Sequence, residues 1–380
     1  MNNKGKNHKN PEYSFWHELA GSLGDLGTLL PYVLAVIAIA GLSSASVFMG
    51  FGIFYLFSGW FYAMPMAVQP MKAASAAIIV QGATPAEIAA GGIVIGLILL
   101  IMGLSGVIER IARLTPPGVV GGIQLGLGVS LAVLGLKMIA TQPILGFSCL
   151  LVMLVLLFRY SRSPAALIVL AGGTAVSLIF NGGVNIEPVN IGLHLPEPII
   201  PSLKDFNKGI LMLALPQIPI TLTNAVLVTS LISKELYPQS ADRANERNLC
   251  LTMGGANLLM APLGGFMMCH GSGGITAHYR YGGRTAMTVI IIGMILLLIG
   301  ILLGDDAVIL LRLIPEAILG VLLFYSGIDL AMATRNMNKY QDLYLVLIVA
   351  ALAIGINPAV AFIAGIGIYL IERRGWIRLG

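Results

Sequence analysis

The fold is indicated by two stretches of sequence, MPMAVQPMKAASAAI at 64–78 and MMCHGSGGITAHYR at 267–280. Each is an apolar run interrupted by helix breakers, proline in the first and glycine in the second. Each leaves only a short apolar segment, 71–80 or 273–282, before the next polar turn. A helix needs about 20 residues to cross ~30 Å of hydrocarbon. Neither segment is long enough, so the pattern predicts two half-helices that begin inside a membrane domain.

The rest of the chain is equally apolar. Of its 380 residues, 57% are hydrophobic and only 10% are charged, whereas a soluble domain carries about 25% charged residues. The composition therefore predicts an all-α polytopic membrane protein. Its apolar segments, about fourteen in number, lie near 16–40, 47–64, 71–80, 86–108, 117–139, 142–158, 165–180, 208–233, 248–263, 273–282, 285–304, 307–329, 341–355 and 357–372.

The distribution of lysine and arginine predicts the orientation. When the segments alternate across the membrane, most of the 22 basic residues fall on the side of the N-terminus. Only Lys137, Lys204, Lys208 and Arg312 fall on the other side. Cytoplasmic loops carry an excess of basic residues, so we predict a multi-pass protein of the cell membrane with a cytoplasmic N-terminus.

The longest predicted connection, 182–207, divides the chain into two halves. We predict a cytoplasmic tail at 1–15 and a first repeat at 16–181. After the extracytoplasmic linker at 182–207 come a second repeat at 208–372 and a cytoplasmic end at 373–380. Seven segments in each half is an odd number, so the second half is inserted upside down, as in many secondary transporters.

The two halves also share a layout. Each opens with a Pro/Gly-interrupted helix, GSLGDLGTLLPYVLAV at 21–36 and ALPQIPITLTNAVLVT at 214–229, and each places its half-helix third. The N-termini of the half-helices would then face each other near the bilayer centre. Free N–H groups and the partial positive charge at these ends favour an anion or an electron-rich neutral ligand.

Five residues near the breaks are candidates for binding. Gln69 can donate to an oxyanion or act as a packing amide between helices. Lys72 can bind an anion, snorkel, or pair with an acid. Ser272 and the backbone of Gly273 belong to the second N-terminus, where Ser272 is also a natural cap. His270 can donate to the ligand, carry a proton, or cap.

Two further positions extend the candidate site. Asn224, in the eighth segment, faces either the site or a neighbouring helix. Asp25, in the first broken helix, is an intramembrane carboxylate that can carry a proton or a sodium ion. It can instead pair with Lys72 or cap the break. The sequence contains no HExxH or GxSxG motif and no Cys/His cluster, so we predict no enzyme activity, no metal site and no cofactor.

Four motifs in order resemble the molybdate transporter family of plants and bacteria. They are GSLGDLGTLLPYVLAV, PMAVQPMKAASAAI, LPQIPITLTNAVLVT and CHGSGGITAHYRYGGRT. The family is similar to the sulfate permeases and, more distantly, to the nucleobase and ascorbate permeases. The resemblance implies a core domain of segments 1–4 and 8–11 and a gate domain of segments 5–7 and 12–14. It also implies a tetrahedral oxyanion substrate, molybdate first and sulfate second, with Gln69, Lys72 and Asp25 at the family's motif positions.

The expected function is therefore secondary active transport of an oxyanion by alternating access. An inside-negative potential opposes anion uptake, so proton or sodium co-transport is expected, and a homodimer is possible in this architecture. The alternatives are a nucleobase permease of the same fold and an anion channel. Residues 208–233 contain no Asp or Glu, which weighs against the nucleobase alternative, because those permeases place a carboxylate on the eighth segment.

Overall fold

The computed structural model describes residues 15–107, 116–159, 164–180, 188–335 and 340–374. The predicted N-terminal tail up to residue 14, and 375–380 of the predicted C-terminal end, lie outside these ranges. The helices of the first half are α1 (Phe15–Ser22), α2 (Leu26–Ala40), α3 (Ser44–Tyr62), α4 (Lys72–Gln81), α5 (Pro85–Ser105), α6 (Pro117–Ile139), α7 (Pro143–Arg159) and α8 (Ala165–Phe180). A two-residue strand, β1 (Gln69–Pro70), precedes α4.

The second half also contains a short strand directly before a short helix. A continuous helical run, α9 (Leu203–Leu236), is followed by α10 (Glu246–Met260) and the strand β2 (Met268–Cys269). The remaining helices are α11 (Ser272–Arg280), α12 (Met287–Leu303), α13 (Ala307–Arg312), α14 (Glu316–Ala331), α15 (Tyr340–Gly355) and α16 (Pro358–Arg373).

Six helical runs in the described ranges are long and apolar enough to cross a membrane. They are Phe15–Ala40, Ser44–Tyr62, Pro85–Ser105, Pro117–Ile139, Leu203–Leu236 and Met287–Ile309. The prediction of a helical, multi-pass membrane protein is confirmed at this level. The two predicted half-helices are also present, as α4 and α11, with 10 and 9 residues.

Both opening helices of the halves are irregular, for different reasons. The first breaks into α1 and α2 at a turn over Leu23–Asp25, and the backbone oxygen of Asp25 accepts from Thr28 and Leu29 to start α2. The second, α9, stays continuous but widens into π-helix at Gly209–Ala214 and Thr221–Val228. Pro216 and Pro219 lie between these stretches and lack the N–H that a regular α-helix needs.

Two boundaries differ from the sequence prediction. The segment predicted at 307–329 is interrupted between α13 and α14, because Pro315 takes the N-cap position of α14 and ends the preceding helix. The helix α9 begins at Leu203, inside the predicted linker. There the carboxylate of Asp205 accepts from both the N–H and the hydroxyl of Ser202, the N-cap residue.

Glycine allows a close helix contact between α6 and α14. A Cβ atom added to Gly327 would lie 2.5 Å from the backbone oxygen of Gly128, and one added to Gly320 would lie 2.7 Å from that of Gly135. In the same way, a Cβ atom added to Gly128 would meet the backbone of Gly327, and one added to Gly135 would meet that of Gly320. The two antiparallel helices therefore touch through glycine pairs spaced seven residues apart, the small-residue packing that membrane helices use where the hydrophobic effect does not drive association.

We expect Gly327→Ala to destabilise the protein, because the new methyl group would push α6 and α14 apart. Overpacking of this kind costs about 1–3 kcal/mol. The apparent melting temperature of the purified protein in detergent measures the effect. Gly172→Ala in α8 is the matched control, because its Cβ would meet no atom within 4 Å; this change should leave the melting temperature equal or raise it. Equal melting temperatures for both variants would contradict the close contact.

Candidate functional site

The two half-helices meet through a short antiparallel strand pair. Gln69 of β1 lies opposite Cys269 of β2, and Pro70 lies opposite Met268. The N–H of Met71 extends the pairing by donating to the backbone oxygen of Met267. Since each strand runs directly into its half-helix, the pairing brings the N-termini of α4 and α11 close together. The two predicted breaks therefore form one structural unit.

The N-terminus of α4 is closed by a side chain from α9. The Oε1 atom of Gln217 accepts from the N–H groups of Ala73 at 2.9 Å and Ala74 at 3.1 Å. Its Nε2 atom donates to the hydroxyl of Thr221, one turn further along α9. Gln217 is buried, with 1% of its surface exposed. Its amide oxygen satisfies N–H groups of α4 that the sequence analysis had left available for a ligand.

Sequence reasoning assigned no role to Gln217. Its signal was present, because LPQIP places a lone amide between two prolines in the interrupted helix that opens the second half. The missing information was its partner: Gln217 contacts α4 across a separation of 144 residues, which no local pattern encodes.

Gln69 and Asp25 lie beside the first turn of α11. The Nε2 atom of Gln69 donates to Oδ1 of Asp25 at 2.5 Å, and the hydroxyl of Tyr55 approaches Oδ2 at 3.5 Å. Gly271 and Gly274 leave the space for these side chains, since a Cβ at Gly271 would overlap the Gln69 amide and one at Gly274 would lie 2.5 Å from Asp25 Oδ2. Burial of an ionised carboxylate is costly without such donors, so Gln69 holds Asp25 in place.

Ser272 and Asn224 are brought together. The Ser272 hydroxyl donates to Oδ1 of Asn224 at 2.6 Å, which joins α11 to the second π-helical stretch of α9. The N-cap of α11 is Gly271, which has no side chain to accept from the first N–H groups. Gly273 is exposed, and a Cβ at this position would meet nothing within 4 Å. In the described ranges, α4 thus has a capped N-terminus and α11 an uncapped one.

His270 faces away from this N-terminus. Its Nδ1 atom lies 3.0 Å from the backbone oxygen of Ala67, which can only accept, so Nδ1 carries the proton. Its Nε2 atom then accepts from the Thr252 hydroxyl at 3.0 Å. The Thr252 hydroxyl in turn lies 2.7 Å from the hydroxyl of Tyr62, which extends the row of hydrogen bonds. The ring packs on Phe54 at 4.9 Å between centroids. Both ring nitrogens are satisfied, and the side chain braces the strand pair against α3 and α10.

A cavity of about 310 Å³ opens beside the N-terminus of α11. Its walls come from the broken helix α1–α2 and both half-helices on one side, and from α7, α8 and α14 on the other. The polar and glycine residues that line it are Gly24, Gly27, Thr28, Tyr32, Lys72, Gly273, Thr276, Arg280, Tyr281, Tyr325, Ser326 and Asp329. Gln69, Asp25, Ser272, His270 and Asn224 are not among its lining residues.

Lys72 extends from the first position of α4 into this cavity. Its Nζ atom lies 3.6 Å from Oδ2 of Asp329, on the opposite wall. The alternative that the sequence left open, pairing with an acid, is therefore observed, with Asp329 of α14 as the partner. The side chain of Lys72 is 19% exposed and that of Asp329 is 53% exposed. The cavity thus contains Lys72 and Arg280 against one carboxylate, in addition to the positive end of α11.

Comparison with known proteins identifies the family. A family model described as "Molybdate transporter of MFS superfamily" matches residues 17–131 and 209–330. This chain belongs to that family. It is 30% identical to Molybdate transporter 1 of Arabidopsis thaliana over 95% of this chain and 88% of that protein. It is 27% identical to Molybdate transporter 1 of Chlamydomonas reinhardtii over 92% of this chain and 90% of that protein.

Solved structures confirm the fold. The transmembrane domain of the cyanobacterial bicarbonate transporter BicA superposes with a TM-score of 0.70 at 19% identity, over 93% of this chain and 97% of that one. The anion transporter Slc26a9 of mouse, in the inward-facing state, superposes with a TM-score of 0.65 at 12% identity, over 97% of this chain and 70% of that one. The family members are transporters, so this protein is a membrane transporter and not an enzyme.

We expect Gln217→Ala to destabilise the protein by about 0.5–2 kcal/mol, because Ala73 and Ala74 would lose their acceptor at a buried helix end. Thermal unfolding of the purified protein in detergent measures the loss. Gln142→Ala, at an exposed position before α7, is the control and should leave the melting temperature unchanged. A melting temperature for Gln217→Ala equal to that of the control would show that the cap contributes nothing.

Proposed function

We propose that this chain is a secondary transporter that carries molybdate, with sulfate as the second substrate, by alternating access across the cell membrane. The observation that carries the proposal is the cavity at the uncapped N-terminus of α11, which Lys72 also lines. Backbone N–H groups at a helix N-terminus and an ammonium group together match a tetrahedral dianion. The names of the plant and algal relatives give molybdate as the first candidate.

In this proposal the oxyanion is bound by the free N–H groups in the first turn of α11, around Gly273, and by Lys72 Nζ. Thr276 lines the cavity on the next turn, where its hydroxyl donates to the backbone oxygen of Ser272. Gln69, Ser272 and Asn224 then act one layer behind the anion. Gln69 holds Asp25, and the bond from Ser272 to Asn224 fixes α11 against α9. We assign His270 a structural role, because its ring nitrogens are already bonded.

The two walls of the cavity suggest which parts move. We propose that α1–α5 and α9–α12 form the core and that α6–α8 and α13–α16 form the gate, as an inverted repeat of seven plus seven segments. The pairing of β1 with β2 across the repeats supports the inversion, as does the packing of α3 on α12 and α5 on α10. With the N-terminus in the cytoplasm, a cavity lined by Leu23, Arg280 and Tyr281 opens inward.

Uptake of a dianion against an inside-negative potential costs ~2.3 kcal/mol per charge per 100 mV. We therefore propose co-transport of protons or sodium ions, with Asp25 as the coupling group. Asp25 is 1% exposed and lies beside the first turn of α11, so a change in its charge would be felt at the anion site.

The direct test is uptake of molybdate into proteoliposomes that contain the purified protein. We expect saturable uptake that tungstate blocks, that sulfate inhibits more weakly, and that uracil does not affect. Lys72→Gln should raise the half-saturation concentration about 10- to 100-fold, the usual contribution of a hydrogen bond to a charged group. Gly273→Ala should fold normally and also weaken uptake, because its methyl group has room but fills the anion position.

Each contrary outcome has a definite meaning. Uptake of uracil instead of molybdate would move the chain to the nucleobase permeases. A conductance without saturable uptake would make it a channel. Normal molybdate uptake by both Lys72→Gln and Gly273→Ala would remove this cavity as the binding site.

The coupling role is tested separately with Asp25→Asn. We expect this variant to lose the dependence of uptake on an inward proton or sodium gradient while it still exchanges molybdate across the membrane, because binding uses other residues. Glu235→Gln, which removes an exposed carboxylate at the end of α9, is the control and should keep the gradient dependence. Uptake by Asp25→Asn that still follows the gradient would exclude Asp25 as the coupling group.

A further inference from the structure

One ion pair crosses the cavity between its two walls. The described residues form two ion pairs, Lys72–Asp329 and Lys208–Glu87. The second joins the start of α9 to the start of α5 and lies outside the cavity lining. The first joins half-helix α4 to α14, the helix that packs against α6 through glycine. It therefore joins the two walls of the cavity by an ionic contact, beside the hydrogen bond that Tyr32 of α2 donates to the backbone oxygen of Ser326 in α14.

The geometry fits an exchangeable contact. The Lys72–Asp329 distance of 3.6 Å is longer than a direct charged hydrogen bond, and more than half of the Asp329 side chain is exposed. Exposed ion pairs of this kind contribute little and are easily broken. An oxyanion that enters the cavity offers several charged acceptors to the same ammonium group, and the uncapped N-terminus of α11 lies on the same wall.

We propose that Asp329 is an internal competitor of the substrate for Lys72. When the cavity is empty, the Asp329 carboxylate neutralises Lys72 and holds α14 against the half-helices. When the oxyanion binds, it replaces Asp329 as the ion-pair partner of Lys72, and α14 is released from this contact. This inference rests on the proposed function, because it assumes that an oxyanion binds at Lys72. It assigns to Asp329 a role that the four sequence motifs do not include.

Competition also accounts for charge balance in the empty carrier. Without a partner, a lysine within a membrane domain carries an uncompensated charge, which is costly to move through a region of low dielectric constant. When Asp329 is its partner, the charge of Lys72 is compensated, and the empty site can return to the other side of the membrane. With the dianion as its partner, Lys72 compensates one of the two negative charges, the positive end of α11 and the co-transported cation offset the other, and the Asp329 carboxylate remains on the opposite wall.

The test is calorimetric titration of sodium molybdate into the full-length protein in lipid nanodiscs. Asp329→Asn keeps the size of the side chain and removes the competing charge, so we expect a Kd for molybdate roughly two- to fivefold lower than that of the wild type. Asp329→Glu keeps the carboxylate and should bind with the wild-type Kd. Lys208→Gln breaks the other ion pair and should also leave the Kd unchanged.

A second comparison separates competition for Lys72 from a simple change of charge in the cavity. In a Lys72→Gln background there is no ammonium group to compete for, so adding Asp329→Asn should no longer lower the Kd by the same factor. An equal gain in both backgrounds, or an unchanged or raised Kd for Asp329→Asn alone, would overturn the proposal. If the wild type binds neither molybdate nor sulfate, the proposed function fails, and this inference fails with it.

Discussion

The antiparallel pairing of β1 with β2 is the constraint on which the site depends. Two half-helices of 10 and 9 residues cannot span a membrane, so both have to begin inside the protein. Backbone that leaves a helix inside a membrane needs hydrogen-bond partners, because lipid offers none. Here each broken segment supplies partners for the other. The pairing therefore satisfies the interrupted backbone and fixes the two helix ends side by side.

The two helix ends are then used differently. Gln217 caps α4, whereas α11 starts at a glycine and is open to the cavity. The side chains around them form two layers, one that lines the cavity and one that supports it. Lys72, Gly273 and Thr276 belong to the first layer. Gln69 and Asp25 belong to the second layer, together with the chain from His270 to Tyr62. The two half-helices therefore present one capped and one uncapped N-terminus at neighbouring positions, and the uncapped one lies beside the cavity.

Much of this arrangement follows from the sequence. Apolar length, the Pro and Gly breaks and the order of the segments predict a helical membrane protein with two half-helices, and the structure contains both half-helices within a residue or two of their predicted ends. The sequence prediction failed at 307–329, where Pro315 starts a new helix inside one predicted segment, between Arg312 and Glu316. Hydropathy does not register such a break, because proline interrupts the backbone without adding charge.

The sequence by itself determined the fold class, the positions of the breaks and the residue types near them, because these depend on local properties: hydrophobicity, helix propensity and missing N–H groups. Only the tertiary structure decided which side chain serves which helix end. Gln69 contacts Asp25, Gln217 contacts α4, and Lys72 contacts Asp329. These partners lie 44, 144 and 257 residues apart. Their pairing depends on how the helices pack. The residue pattern of one segment does not indicate which residue of a different segment will lie next to it.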